Sequence, residues 1–254
     1  MTMTLLEGRK AVITGGSRGL GAAIGTAFQG AGAAVAVLDL QDALDQPSAW
    51  HGSAAFNCDV MDETSIEAAL HAASQRLGGI DIVVANAGLV PPWRDTIALD
   101  LSEWDRVFAV NVRGVAATIK HAVPYLKQRG GSIILMASIN AHVSHPKQML
   151  YTATKHAVAG IMRAAALDLG HDAIRVNALG PGPIATRALL ERLENRAADG
   201  GLSTQQALAG FEAQTALGRM ATAEEVAKTA LFLASDLSSG ITGRMLTVDA
   251  GLIP

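Results

Sequence analysis

One cysteine, Cys58, stands in a chain of 254 residues. No intrachain disulfide can form, and a reducing, cytoplasmic setting is expected. A lone thiol cannot anchor a Cys/His metal cluster either, so no metal is expected. Neither sign of charge dominates: 20 Lys and Arg against 23 Asp and Glu leave a formal charge of −3. That balance excludes the broad basic footprint of a nucleic-acid binder. Positions 1–10 carry Glu7, Arg9 and Lys10 and no apolar core, so no secretory leader is expected. The mean hydropathy of +0.27 makes a membrane span worth testing. Leu20–Leu38 lacks charge, but Gly21, Gly25, Gly30 and Gly32 interrupt it, and Gln29-Gly30-Ala31-Gly32 reads as a helix stop before a new strand. No membrane contact is expected. Aromatic residues are scarce too, at 4%.

What the chain has instead is small and branched apolar residues, with 26 glycines and 50% hydrophobic residues overall. Such residues suit helices layered closely on a parallel sheet whose strands are continuous apolar runs. Candidate strands are Ala11–Thr14, Val35–Leu38, Ala54–Asn57, Ile82–Ala85, Ser132–Met136, Arg175–Ala178 and Met245–Val248. Helical patterns fall at Gly19–Gln29, Thr64–Arg76, Glu103–Gln128, Leu150–Leu169 and Ala223–Ala234. The alternation predicts an α/β fold: a single Rossmann-type domain over 1–254, with a doubly wound parallel sheet of about seven strands. Ligands are then expected beyond the carboxyl ends of the strands. Pro181 to about Leu217 has no strand pattern and holds two helical pieces, Thr186–Arg196 and Thr204–Gln214. It reads as a lid over 183–217 or as a surface helical hairpin.

The first strand runs into Thr14-Gly15-Gly16-Ser17-Arg18-Gly19-Leu20-Gly21 and then a helix. Such a turn lets backbone N–H groups approach an anion at the positive helix end. The spacing is neither G-x-G-x-x-G nor a P-loop, and a purely structural turn would look the same. Asp39 ends the second strand, where a carboxylate can accept hydrogen bonds from ribose hydroxyls and repel a 2′-phosphate; it could also be a turn residue. Arg18 points the other way, since a guanidinium can pair with that phosphate. Tyr151 and Lys155, at i and i+4, share a helix face, and a nearby ammonium would lower a phenol's pKa. Such a pair is as readily a surface feature. Ser138 follows the fifth strand and could equally cap a helix, and Asn111 is an amide among apolar neighbours that needs a partner.

Together these residues resemble the short-chain dehydrogenase/reductase family over essentially the whole chain. Thr14-Gly15-x-x-x-Gly19-x-Gly21 looks like its cofactor loop, and Asn86-Ala87-Gly88 like the segment supporting the central strand. Asn111, Ser138, Tyr151 and Lys155 match its catalytic tetrad. Asp59-Val60 resembles the pair contacting adenine, and Pro181-Gly182, with Ile184 and Thr186, the segment closing over nicotinamide. Ala85 stands where Asn is frequent, and Thr154 where Ser is frequent. The resemblance implies NAD(P)-dependent hydride transfer on CH–OH groups. Tyr151 would be the proton carrier, Lys155 would hold its pKa down and bind ribose, Ser138 would hold the substrate oxygen, and Asn111 would position a water.

Asp39 favours NAD; Gly15, Ser17, Arg18, Gly19 and Leu20 would line its pyrophosphate. The alternatives are an NADPH-dependent 3-oxoacyl-(acyl carrier) reductase and a non-catalytic nucleotide-binding subunit. A homotetramer is implied, through the helices at Glu103–Gln128 and Leu150–Leu169. In the second of these, Ala153, Ala157, Gly160 and Ala164 suit either close helix approach or core packing. For the substrate, Asn140, His142, Ser144, His145, Lys147 and Gln148 suggest a polar wall facing Trp93 and the lid's Arg187 and Arg192. That wall favours a polyol, sugar or hydroxy acid.

Overall fold

The computed structural model describes residues 4–47 and 49–253. Seven strands form one wholly parallel sheet: β1 (Lys10–Thr14), β2 (Ala34–Asp39), β3 (Ala54–Asn57), β4 (Ile82–Ala85), β5 (Gly131–Met136), β6 (Ile174–Pro181) and β7 (Met245–Val248). Their order is β3-β2-β1-β4-β5-β6-β7. The chain builds outward from β1 in one direction, then starts again at β4 and builds in the other. The crevice for a ligand opens at that reversal, beyond the carboxyl ends of β1 and β4.

The strands form because they carry Val, Ile, Leu and Ala on both faces, and both faces are covered. On one side α3 (Glu63–Leu77), α5 (Gly114–Leu126) and α6 (Met149–Leu169) enclose a core that includes Val12, Leu70, Leu126, Ile133 and Val158. On the other, α1 (Gly19–Gly30) and α9 (Ala223–Ala234) enclose Ile13, Ile24, Phe28, Val84 and Leu233. Local signals set the helix ends. Asp62 caps α3 by accepting the Thr64 N–H, and Gly78 closes it in the left-handed conformation at φ 76°. Thr222 and Glu225 form a reciprocal capping box at the start of α9. The uncharged run from Leu20 divides into α1 and β2, and no helix among the described residues is long and apolar enough to cross a membrane.

Two expectations need correction, and one short element had no signal in the sequence. The helix expected over Glu103–Gln128 is α4 (Leu101–Phe108), then a π-helical turn at Ala109–Arg113, then α5, which stops at Leu126. A short helix, α2 (Gln41–Leu44), follows β2 directly; four residues are too few to leave a periodic pattern. Strand pairing also persists past β6, where Ile184 bridges Ala221 in parallel register. Beyond that bridge lie α7 (Arg187–Ala198) and α8 (Thr204–Ala213), one residue or two from the helical pieces read in the sequence. Leu189, Leu193 and Ala207 of these helices pack together with Trp93. The 183–217 segment is therefore tied to the loop after β4.

Candidate active site

The glycine turn is built by exclusion. A Cβ at Gly21 would lie 2.2 Å from the Gly15 carbonyl oxygen and 2.7 Å from the Asn86 amide nitrogen, so only glycine lets α1 start this close to β1. Gly19 differs: a Cβ there meets nothing, and its φ of 56° is the reason for glycine. Asn86 braces the turn from β4, its amide donating to the carbonyls of Thr14 (3.1 Å) and Gly15 (2.8 Å). The Thr14 hydroxyl accepts the backbone N–H groups of Asn86 and Ala87. These residues shape the crevice, with Gly88 exposed beside them.

Asp39, at the tip of β2, is tied to the turn. Its Oδ2 accepts the Ser17 hydroxyl at 2.6 Å and the Ser17 N–H at 3.1 Å, while Oδ1 accepts the Leu40 N–H at 2.9 Å. The carboxylate is fixed at the mouth with acceptor capacity left over. Arg18 is exposed beside it, and Leu20 is half-buried in the first turn of α1. Val60 lines a small cleft of about 140 Å³ with Thr14, Ala85, Ala87 and Val110. Asp59 folds back on itself, its carboxylate accepting the Met61 N–H at 2.8 Å. At the end of β6, Pro181 and Ile184 are buried and Gly182 is half-buried. The Thr186 hydroxyl caps α7 by accepting the Leu189 N–H.

Around the next strand ends the four tetrad residues come together. The π-helical turn rotates Asn111 inward, where its amide donates to the Leu89 carbonyl at 2.8 Å and accepts the Leu89 N–H at 2.7 Å. The same amide reaches the Thr154 hydroxyl at 3.3 Å, and that hydroxyl donates to the Tyr151 carbonyl. Thr154 thus joins Asn111 to the helix bearing Tyr151 and Lys155, a link its position in the sequence did not reveal. Lys155 is buried and donates to the Met136 carbonyl at 2.8 Å; burial lowers its pKa to about 8. Ser138 is buried after β5 and accepts the Asn140 N–H, so it does cap a short 3₁₀ turn. Among the described residues its hydroxyl lies 3.4 Å from Asn140 Oδ1 and 3.5 Å from the Pro181 carbonyl, and it also reaches the Tyr151 phenol. The contacts to Asn140 and Pro181 are long, so an incoming oxygen can compete for that hydrogen.

The sequence reading had Lys155 holding the Tyr151 phenol down. Among the chain's own groups the net direction is upward: lost hydration raises the phenol, and the Ser138 hydroxyl and the Arg192 guanidinium lower it only in part. The Lys155 ammonium is 5.4 Å from the centre of the Tyr151 ring and bonded to Met136 instead.

A cleft of about 330 Å³ borders Tyr151 and is lined by Trp93, Arg94, Lys147, Gln148 and the Val90–Pro92 loop, among others. The expected polar wall is only partly there. Asn140 is buried and both amide hydrogens are used, on Gln148 (3.0 Å) and Thr152 (3.1 Å), so it braces the loop. His142, Ser144 and His145 are exposed and lie outside this cleft. Trp93 carries Arg192 and Arg196 of α7, at 5.6 and 4.8 Å from its ring centre. Among the described residues no group of His, Cys, Asp and Glu is arranged to hold a metal.

Comparison with known proteins gives one consistent result. The family model described as enoyl-(acyl carrier protein) reductase matches residues 15–253. Short-chain dehydrogenase reductase 5 of Arabidopsis thaliana is 38% identical, over 97% of this chain and 95% of its own. Cis-4-hydroxycyclohexanecarboxylate dehydrogenase of Sinomonas cyclohexanicum is 35% identical, over 96% of each. The mitochondrial (−)-isopiperitenol/(−)-carveol dehydrogenase of Mentha piperita is also 35% identical, over 97% and 94%. Among solved structures, a short-chain type dehydrogenase/reductase from Mycobacterium marinum superposes with a TM-score of 0.87 at 34% identity, covering 99% of this chain and 98% of its own.

Proposed function

The chain belongs to the short-chain dehydrogenase/reductase family, and from that premise we propose that it is an NAD-dependent oxidoreductase moving a hydride between nicotinamide and the carbinol carbon of a small polar secondary alcohol. The observation that carries this reading is the gathering of Ser138, Tyr151 and Lys155, with Asn111 joined to their helix through Thr154, at the carboxyl ends of β4 and β5.

The residues present fit a dinucleotide. A Cβ would fill the glycine turn; Gly15 and Ser17, whose N–H groups bond to the Leu38 carbonyl and to Asp39, would shape the wall, and the N–H groups of Arg18, Gly19 and Leu20 at the start of α1 would take an anion. Asp39 would take the adenosine ribose hydroxyls, Asp59 and Val60 the adenine, and Asn86, Ala87 and Gly88 the floor of the crevice. Pro181, Gly182, Ile184 and Thr186 would flank the nicotinamide end. Bound NAD supplies the hydride acceptor at C4 of its nicotinamide ring.

The chain's own residues handle the proton. Ser138 donates its hydroxyl hydrogen to the substrate oxygen and steadies its developing charge. Tyr151 takes the alcohol proton as the C–H bond gives up its hydride, and returns it in reduction. Lys155 would hold the ribose and, beside the positive charge an oxidised cofactor would supply, would favour the phenolate that burial alone opposes. Asn111 fixes the loop at Leu89 and the water path to Lys155.

A fixed, hydrogen-bonded Asp39 carboxylate supports NAD over NADP. Arg18, exposed at the same mouth, is the observation favouring the second reading, an NADPH-dependent 3-oxoacyl-(acyl carrier) reductase. A titration with both cofactors, followed by a panel of secondary alcohols, ketones and acyl thioesters, separates the two. NADH formation from small alcohols supports the first; NADPH-driven reduction of the thioesters alone would replace it with the second.

A further inference from the structure

Arg192 is a cation beside this site that the reaction leaves unused. It stands on α7, half-buried, with its Nε donating to the Ala188 carbonyl at 3.3 Å and its guanidinium carbon 5.6 Å from the Trp93 ring centre. Among the described residues no carboxylate pairs with it. Its neighbour Glu191 is held by Arg187 at 2.6 Å. One turn on, Arg196 brings a second guanidinium to within 4.8 Å of the same indole, and like charges at i,i+4 oppose each other. Lost hydration already pulls the Arg192 pKa below its usual range, and its charge is felt at Tyr151. Trp93 and Tyr151 line the same cleft, and Arg192 lies against Trp93 just behind that lining, close enough for its charge to reach the phenol.

An incoming anion would supply what the position lacks. The two Nη groups have no partner within the described chain and present a planar fork, which fits a carboxylate with two parallel hydrogen bonds. We propose that Arg192 receives a carboxylate of the substrate, so that the alcohol oxidised here is a hydroxycarboxylic acid. This rests on the oxidoreductase reading above and narrows its substrate class. Arg187, exposed and paired, takes no part.

The test uses a ligand that cannot react. Calorimetric titration of the protein saturated with NADH compares cyclohexanecarboxylate with cyclohexanecarboxamide and cyclohexyl phosphate. The carboxylate is expected to bind at least about tenfold tighter than the amide. Arg192→Gln should erase that preference and Arg187→Gln should retain it. In turnover, 4-hydroxycyclohexanecarboxylate should exceed its methyl ester in kcat/KM by a similar factor, carried in KM. The proposal is overturned if carboxylate and carboxamide bind alike, if neither binds, if the phosphate binds more tightly, or if Arg192→Gln keeps the preference. Tight carboxylate binding with no NADH formed from any alcohol would strike the oxidoreductase reading and leave the Arg192 site standing.

Discussion

Lys155 keeps an ammonium where its surroundings favour an amine. Its only hydrogen bond among the described residues is to the Met136 carbonyl, and burial lowers its pKa from 10.5 to about 8. The unfolded chain therefore binds more protons between those values, and stability rises with pH across that window. Lys155→Met should stabilise the cofactor-free protein at neutral pH by about 1–3 kcal/mol, a rise of a few degrees in Tm, while weakening NAD binding. The gain should shrink as pH climbs from about 8 toward 10.5; thermal melts across that range decide it, and a destabilised variant would contradict it. Asp39 carries the second prediction at this scale. Repulsion of a 2′-phosphate at a partly desolvated carboxylate is worth ~1–3 kcal/mol, on the order of tenfold to a hundredfold in favour of NAD. Asp39→Ala should narrow the ratio of kcat/KM values for the two cofactors. A wild-type preference for NADP would mean that Arg18 governs the mouth.

Elements were legible where their signal is local. Seven apolar runs gave seven strands, because a strand buried on both faces must be apolar throughout. The π-helical turn was not legible. It is held by the Asn111 amide on the Leu89 backbone, a contact across twenty-two positions that leaves no periodic trace. The sequence also brought the tetrad and the glycine turn to one edge, while the use of Asn140 as a brace and of Trp93 as a seat for the α7 arginines depends on tertiary packing. The two glycines of the turn separate space from conformation. Gly21→Ala should cost stability and abolish NAD binding, since its Cβ would meet backbone at 2.2 Å. Gly19→Ala should bind NAD with only the left-handed strain, about 1–2 kcal/mol. Thermal melts and NAD titrations of both variants check the contrast; equal effects would contradict it.

For the whole molecule, the tetramer expected from the sequence would pair through the outward faces of α4 and α6. Ile97 is 100% exposed, Leu167 84% and Leu101 70%, and Trp104 stacks on Phe108 nearby at 5.1 Å. The small residues of α6 turn away from the core: Ala153 and Ala157 are half-buried, Gly160 and Ala164 exposed. That arrangement suits a partner helix at close range. Light scattering is predicted to give a tetramer, and a 26.2 kDa particle would contradict the assembly. The central claim concerns chemistry, namely that Tyr151 carries the proton while NAD carries the hydride. It is tested most directly by following NADH formation from a secondary alcohol with wild type and with Tyr151→Phe, each saturated with NAD. The account predicts steady turnover by wild type and a loss of about a hundredfold or more in the variant, whose NAD affinity is nearly unchanged. Turnover by Tyr151→Phe close to that of wild type would contradict it.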